Sequence, residues 1–239
     1  MELVAPGLTR LALRTPTLPP ATTTNTLVVV GRDVVVIEPA TPFADEQARL
    51  DRTLDELEAA GHRLVAILLT HHHPDHIGYA QGLRAARGAP IMAHAATAAR
   101  VAFAIDRHLD DGDRIDAGDG VVLRAVFTPG HAPGHLVYLE ERSGVAHVGD
   151  MIAGEGTILI DPYDGGDMAQ YLESLRRLDS LGAVALVPAH GPVLRDPTAA
   201  VAQYLRHRLG REARVLAALT AALCAFSAPS GVNARAARP

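Results

Sequence analysis

An α/β fold follows from two features of this chain. Short apolar, β-branched runs recur along its first 190 residues, and amphipathic helical segments alternate with them. A third feature bears on chemistry: four of the apolar runs end on His or Asp, usually beside Gly or Pro. Strands and helices arranged in two similar halves suit a four-layer αββα sandwich, with those residues along one edge between the sheets.

Taken in order, residues 25–30 and 34–37 read as a hairpin around Gly31-Arg-Asp33. Residues 43–60 have Leu50, Leu54 and Leu57 at helical spacing and Gly61 as a stop. The apolar run 64–69 is a buried strand that opens into Thr70-His-His-His-Pro-Asp-His76. A helix is expected over 77–87, and a short strand over 90–93. The strand 121–127 runs into Thr128-Pro-Gly-His131, the strand 145–148 into Gly149-Asp150, and the strand 184–187 into Pro188-Ala-His190-Gly191. Between the last two lies a helix over 168–181, closed by Gly182. A further helix starts near Pro197 and runs to about Leu223.

Imidazole nitrogen and carboxylate oxygen are the donors that Zn²⁺ and other borderline divalent metals favour. His71, His73, Asp75 and His76 place four of them within six residues, and His131, Asp150 and His190 arrive at other strand ends. Strand ends hold ligands in place while the adjoining loops stay open to substrate. One four-coordinate ion does not need seven ligands; two ions sharing a bridging carboxylate do. The expected cofactor is two Zn²⁺, with Fe or Mn as alternatives.

These segments resemble the metallo-β-lactamase-fold hydrolases: THHHPDH is similar to their HxHxDH signature, and TPGH, GD and AHG follow in the family's order. The resemblance covers roughly residues 25–215. Gly154-Glu-Gly-Thr157, Asp167-Met-Ala-Gln-Tyr171 and Gln203-Tyr-Leu-Arg-His-Arg208 further resemble the LACTB2-like branch, which includes endoribonucleases acting on single-stranded RNA. What this implies, position by position, is one metal on His71, His73 and His131, a second on Asp75, His76 and His190, and Asp150 bridging both. It implies a hydrolase using a metal-bridging hydroxide, oriented by Asp75 as the catalytic residue. The expected substrate is RNA. The alternative is an acyl hydrolase of the glyoxalase II thioesterase or lactonase type, because the ligand set is shared. A β-lactamase is disfavoured: the related zinc β-lactamases use a Cys where Asp150 stands and a Lys for the substrate. A mononuclear iron persulfide dioxygenase would need fewer ligands than are present.

Alternation turns His72 away from the metals, into a structural role. His135 is either a proton donor near the site, an orienting neighbour of a ligand or a buried loop histidine. His62, His94, His108, His147 and His207 read as structural or exposed, and Tyr163 and Tyr171 as core or rim aromatics.

The composition, 239 residues and 48% hydrophobic, supports one large core. The net charge of −5 gives no global basic field to attract nucleic acid. All 22 basic residues are Arg, so no lysine takes part in catalysis. A single cysteine, Cys224, allows no intrachain disulfide and fits a reducing cytoplasm. No secretory leader is apparent, and the apolar stretch 215–226 is too short to span a bilayer.

The expected organisation is a catalytic domain over 1–195, a helical extension over 196–226 and a disordered tail over 227–239. The LACTB2-like relatives carry a winged-helix-like domain at this end. Here only its first helix is expected, bearing Arg206, Arg208, Arg211 and Arg214, with an uncovered apolar face that favours a homodimer.

Overall fold

The computed structural model describes residues 1–227, with side chains through Leu223. The expectation for the tail beyond Ser227 lies outside the described residues. The chain divides into two compact units, Met1–Val201 and Ala202–Pro239.

Two sheets build the first unit. One runs in the order β1 (Glu2–Ala5), β2 (Leu8–Arg14), β3 (Thr23–Val30), β4 (Val34–Ile37), β5 (Leu64–Leu68), β6 (Ile91–Ala93) and β7 (Arg107–His108). The other comprises β8 (Arg114–Gly118), β9 (Val121–Phe127), β10 (Leu136–Glu140), β11 (Val145–Gly149) and β12 (Ala185–Pro188). The predicted hairpin forms, with Leu27 opposite Ile37 and Val30 opposite Val34. From β4 onward the first sheet is parallel, because α1 (Ala44–Ala59) carries the chain from β4 to β5. In the second sheet only β11 and β12 are parallel, joined through α5 (Met168–Ser180).

The two-residue period of β4 sorts its side chains into two cores. Val35 and Ile37 enter the cluster between the sheets, with Leu68, Leu123, Leu136 and Tyr138. Val34 and Val36 face the opposite way, against Leu50 and Leu54 of α1 and Leu83 of α3 (Ala80–Arg87). On the far side, α5 buries Tyr171, Leu175 and Leu178. The architecture is the expected αββα sandwich.

The sheets are stitched together where the metal-capable residues emerge. Asn25 on β3 donates its amide to the carbonyls of Pro188 and Gly191, both at 2.8 Å. The Tyr138 hydroxyl on β10 donates to the Leu69 carbonyl at 2.8 Å. Both contacts lie at the C-terminal ends of parallel strands, where open α/β sheets leave room for ligands.

The helix expected over 77–87 is two helices. α2 (Pro74–Ile77) contains Asp75 and His76, and α3 begins only at Ala80. At the break the backbone bonds to another segment, the Gly78 N–H donating to the Ala40 carbonyl at 3.2 Å, an approach only glycine allows because a Cβ there would lie 2.5 Å from that oxygen. There the chain turns, and the Tyr79 amide donates to the Pro39 carbonyl. α4 (Ala95–Ala98) is a single turn whose start is capped by His94.

α6 spans Pro197–Ser227, and on its part within the second unit Val215, Leu216, Leu219 and Leu223 are exposed. Among the described residues, no helix is long and apolar enough to cross a membrane.

Candidate metal centre

All seven sequence-predicted residues meet at one edge of the sandwich. The ring nitrogens His71 Nε2 and His73 Nδ1 are 2.8 Å apart, and His131 Nε2 lies 3.2 Å and 3.1 Å from them. Ligand nitrogens on one tetrahedral zinc sit about 3.3 Å apart. Beside this triangle, Asp75 has one oxygen 3.6 Å from His76 Nε2 and the other 3.6 Å from His190 Nε2. Asp150 stands between the groups: Oδ2 is 3.4 Å from His131 Nε2 and 3.6 Å from His76 Nε2, while Oδ1 is 3.4 Å from His190 Nε2.

The outer nitrogen of each ring fixes what its inner nitrogen can do, since a neutral imidazole has one N–H and one lone pair. His131 Nδ1 donates to the Leu159 carbonyl at 2.7 Å, and His190 Nδ1 to the Thr23 carbonyl at 3.0 Å. His73 Nε2 donates to Asp164 at 2.7 Å, and His76 Nδ1 to Glu38 at 2.8 Å. The Thr70 hydroxyl donates to Glu38 and so accepts from His71 Nδ1, at 2.9 Å. Five lone pairs and two carboxylates therefore converge with no proton donor among them. Buried acceptors facing one another are costly unless a cation sits between them. His76 Nε2 and Asp150 Oδ1 are buried without a hydrogen-bond partner, as expected of atoms that hold a metal.

Electrostatics agree. Burial pushes His71 well below its ordinary value, and His131 down to about 4. Burial also disfavours charge on Asp150 and on His76, but their charged and hydrogen-bonding neighbours together outweigh that penalty. Asp150 is held below the usual carboxylate range by His76, His131 and His190, and His76 is raised by Glu38 and Asp150. The field that draws a proton to His76 Nε2 draws a metal cation to the same lone pair.

A family model of the metallo-beta-lactamase superfamily matches residues 19–190. The chain belongs to that superfamily. Among its relatives, lactamase-like protein nscB of Arthroderma benhamiae is 32% identical over 82% of this chain and 42% of its own length. An atrochrysone carboxyl ACP thioesterase of Aspergillus fumigatus is 32% identical over 72% of this chain and 53% of its own. The chain thus spans about half the length of these relatives. A metallo-beta-lactamase family protein from Thermus thermophilus superposes with a TM-score of 0.74 at 26% identity, over 90% of this chain and 84% of that one. What these matches give this chain is the metallo-beta-lactamase superfamily and its fold; the thioesterase name belongs to the Aspergillus fumigatus relative.

Two residues that support the metallo-beta-lactamase site were not foreseen. Glu38, directly after β4, is fully buried with φ of 54°, and accepts from Thr70 and His76. Asp164, in the single 3₁₀ turn Pro162–Asp164, accepts from His73 and also from His72 at 3.1 Å. His72 is thus turned to the rim carboxylate, not toward the seven-residue cluster.

His135 belongs beneath the centre. Its Nδ1 bonds the Thr128 hydroxyl at 2.9 Å, and its Nε2 accepts the backbone N–H of Asp150 at 3.2 Å. Burial and the neighbouring His131 hold it at about 3, so it is a neutral group that fixes the Asp150 backbone. Gly149, at φ of +48°, makes room for it: a Cβ there would lie 2.6 Å from His135 Nε2.

The remaining histidines stay out of the cluster. His147 is buried and bonds the Asn25 carbonyl at 3.1 Å, His94 stacks on Phe127, and His62 bonds the Arg32 carbonyl. His108 and His207 are exposed. Tyr171 is a core residue whose hydroxyl donates to the Met151 carbonyl; Tyr163 is fully exposed.

A cleft of about 240 Å³ opens over His73, Asp75, His131, Asp150 and His190. One wall is the segment 16–21, rich in Pro and carrying Leu18; the other is the segment 153–164. Its ionisable lining includes Asp75, Asp150, Glu155, Asp161 and Asp164, and no Arg.

Proposed function

We propose that this chain is a metal-dependent acyl hydrolase acting on thioesters, with esters as the secondary substrate class. The observation that carries the acyl reading over the phosphodiester one is the cleft lining, which has acidic groups but no guanidinium. A polyanionic RNA backbone needs cationic contacts for affinity. The thioesterase name of the Aspergillus fumigatus relative supports the same choice.

The proposed ligands are His71, His73 and His131 for one ion and Asp75, His76 and His190 for the other, with Asp150 shared. Two divalent cations bound there, Zn²⁺ by preference, would polarise the acyl oxygen and lower the pKa of a water molecule. The protein's own tasks are positional. Asp75 faces the cleft and accepts a hydrogen bond from the attacking water, fixing its direction. Asp150 is held by His135 through its backbone. The water loses a proton to solvent as its oxygen bonds to the acyl carbon, the carbon–sulfur bond breaks, and the electron pair leaves with sulfur. A thiolate is a competent leaving group near neutral pH, because a thiol has a pKa of about 8.5. This suits a cleft whose lining has no Lys, Arg, Tyr or Cys to protonate a poorer one.

The narrower LACTB2-like placement rests on the motifs at 154–157, 167–171 and 203–208, and we keep it as a proposal for lineage, separate from substrate. The test is to offer metal-loaded protein an acyl-N-acetylcysteamine thioester and labelled single-stranded RNA in parallel, with Asp75→Ala as control. Thioester hydrolysis by the wild type alone is expected. RNA cleavage without thioester turnover would overturn the reading.

A further inference from the structure

We infer that Glu155 and Asp161 determine specificity, making the cleft select acyl groups that are apolar and uncharged and reject those bearing a second carboxylate. The inference rests on the acyl-hydrolase reading and names the substrate class within it.

The cleft carboxylates fall into two kinds. Asp75 and Asp150 point at the histidine cluster, and Asp164 accepts from His72 and His73. Asp164 therefore has ring N–H donors, while Asp75 and Asp150 face the position proposed for the cations. Glu155 and Asp161 sit on the same wall without such a partner: among the described residues, neither has an Arg or His within ion-pair distance. Asp161 accepts only the backbone N–H of Tyr163, at 2.9 Å, which leaves its charge uncompensated. The facing wall offers Pro16, Leu18 and Pro20, and Leu18 is 68% exposed at the mouth. Leu159, between the two acids, is 57% exposed and adds apolar surface on their side.

An acyl chain lying between these walls buries hydrocarbon against Leu18 and Leu159, which is favourable in proportion to the area covered. A carboxylate on the same chain would lose hydration while facing two uncompensated negative charges. A cleft lined by one sign of charge concentrates its field on whatever enters. The chain has no lysine, and no guanidinium lines the cleft to receive such a carboxylate.

The test compares two N-acetylcysteamine thioesters of equal chain length: hexanoyl, which ends in a methyl group, and adipoyl, which ends in a carboxylate. For the wild type, kcat/KM for hexanoyl should exceed that for adipoyl by on the order of tenfold or more, and the ratio should shrink as salt screens the charges. In the double variant Glu155→Gln, Asp161→Asn, the ratio should fall several-fold through a gain on the adipoyl substrate. Equal turnover of both thioesters by the wild type would overturn the inference, as would a ratio that the double variant leaves unchanged. Failure to hydrolyse either one is a separate pattern: it would refute the acyl reading and take this inference with it.

Discussion

The Asp164 carboxylate accepts a hydrogen bond from His73 Nε2 at 2.7 Å, so the lone pair of His73 Nδ1 faces His71 and His131. A rim residue 91 positions away in sequence thereby sets the tautomer of a proposed ligand. The same segment supplies the Leu159 carbonyl that orients His131. Two of the three nitrogens in that triangle are aimed by a cleft wall.

Asp164→Asn removes the charge but keeps the shape. A carboxylate behind a metal-binding histidine is typically worth about 10- to 100-fold in metal affinity. Competition with a chromophoric chelator should show that loss for one ion, leaving the second unchanged. Melting of the metal-free variant should match wild type, since Asp164 is close to half exposed. Equal weakening of both ions would contradict the assignment of His73 to one of them.

Asp150→Ala deletes the only carboxylate, among the described residues, within 3.6 Å of nitrogens in both groups. At least one ion should be lost after dialysis, measured by elemental analysis, and the stabilisation that added zinc gives the wild type should shrink. Full retention of two ions would remove Asp150 from the bridging position.

Asp75→Ala should depress kcat far more than it raises KM, because orienting the attacking water matters most in the transition state. Steady-state kinetics on a thioester separate the two. A variant with unchanged kcat would sink that role.

Glu38→Ala leaves the Thr70 hydroxyl and His76 Nδ1 without their acceptor in a fully buried site. Breaking a buried charged network typically costs about 3 to 5 kcal/mol. For a domain of this size that is a fall of roughly 10 °C in the melting temperature of the metal-free protein. A melt matching that of the wild type would show that Glu38 is not the acceptor these groups depend on.

The cluster of candidate ligands was legible because each apolar strand ends on its metal-capable residue, and chemistry limits what His and Asp can do in such numbers. The continuous β-branched run Val34–Ile37 beside the Gly31-Arg-Asp33 turn likewise made β4 plain. Glu38 was not legible, because one carboxylate after Val34–Ile37 has no spacing to set it apart from a surface acid. Asp164 was hidden for another reason: its partner His73 is reached only through the fold. The break at Gly78 depends on the approach of Ala40, a tertiary contact invisible in helical periodicity. β1 and β2 went unread because their residues offer no motif and few consecutive apolar positions. The substrate expectation shifted most. RNA followed from a resemblance, whereas the cleft charge is assembled from segments 16–21 and 153–164, which lie far apart in the chain.

The most direct test of the central claim is the number of metal ions per chain. Protein stripped with chelator, reloaded with excess zinc and desalted should retain two equivalents by elemental analysis, and both should be lost on renewed chelation with a fall in melting temperature. One equivalent or none, in protein that melts cooperatively, would contradict a dinuclear centre built from His71, His73, Asp75, His76, His131, Asp150 and His190.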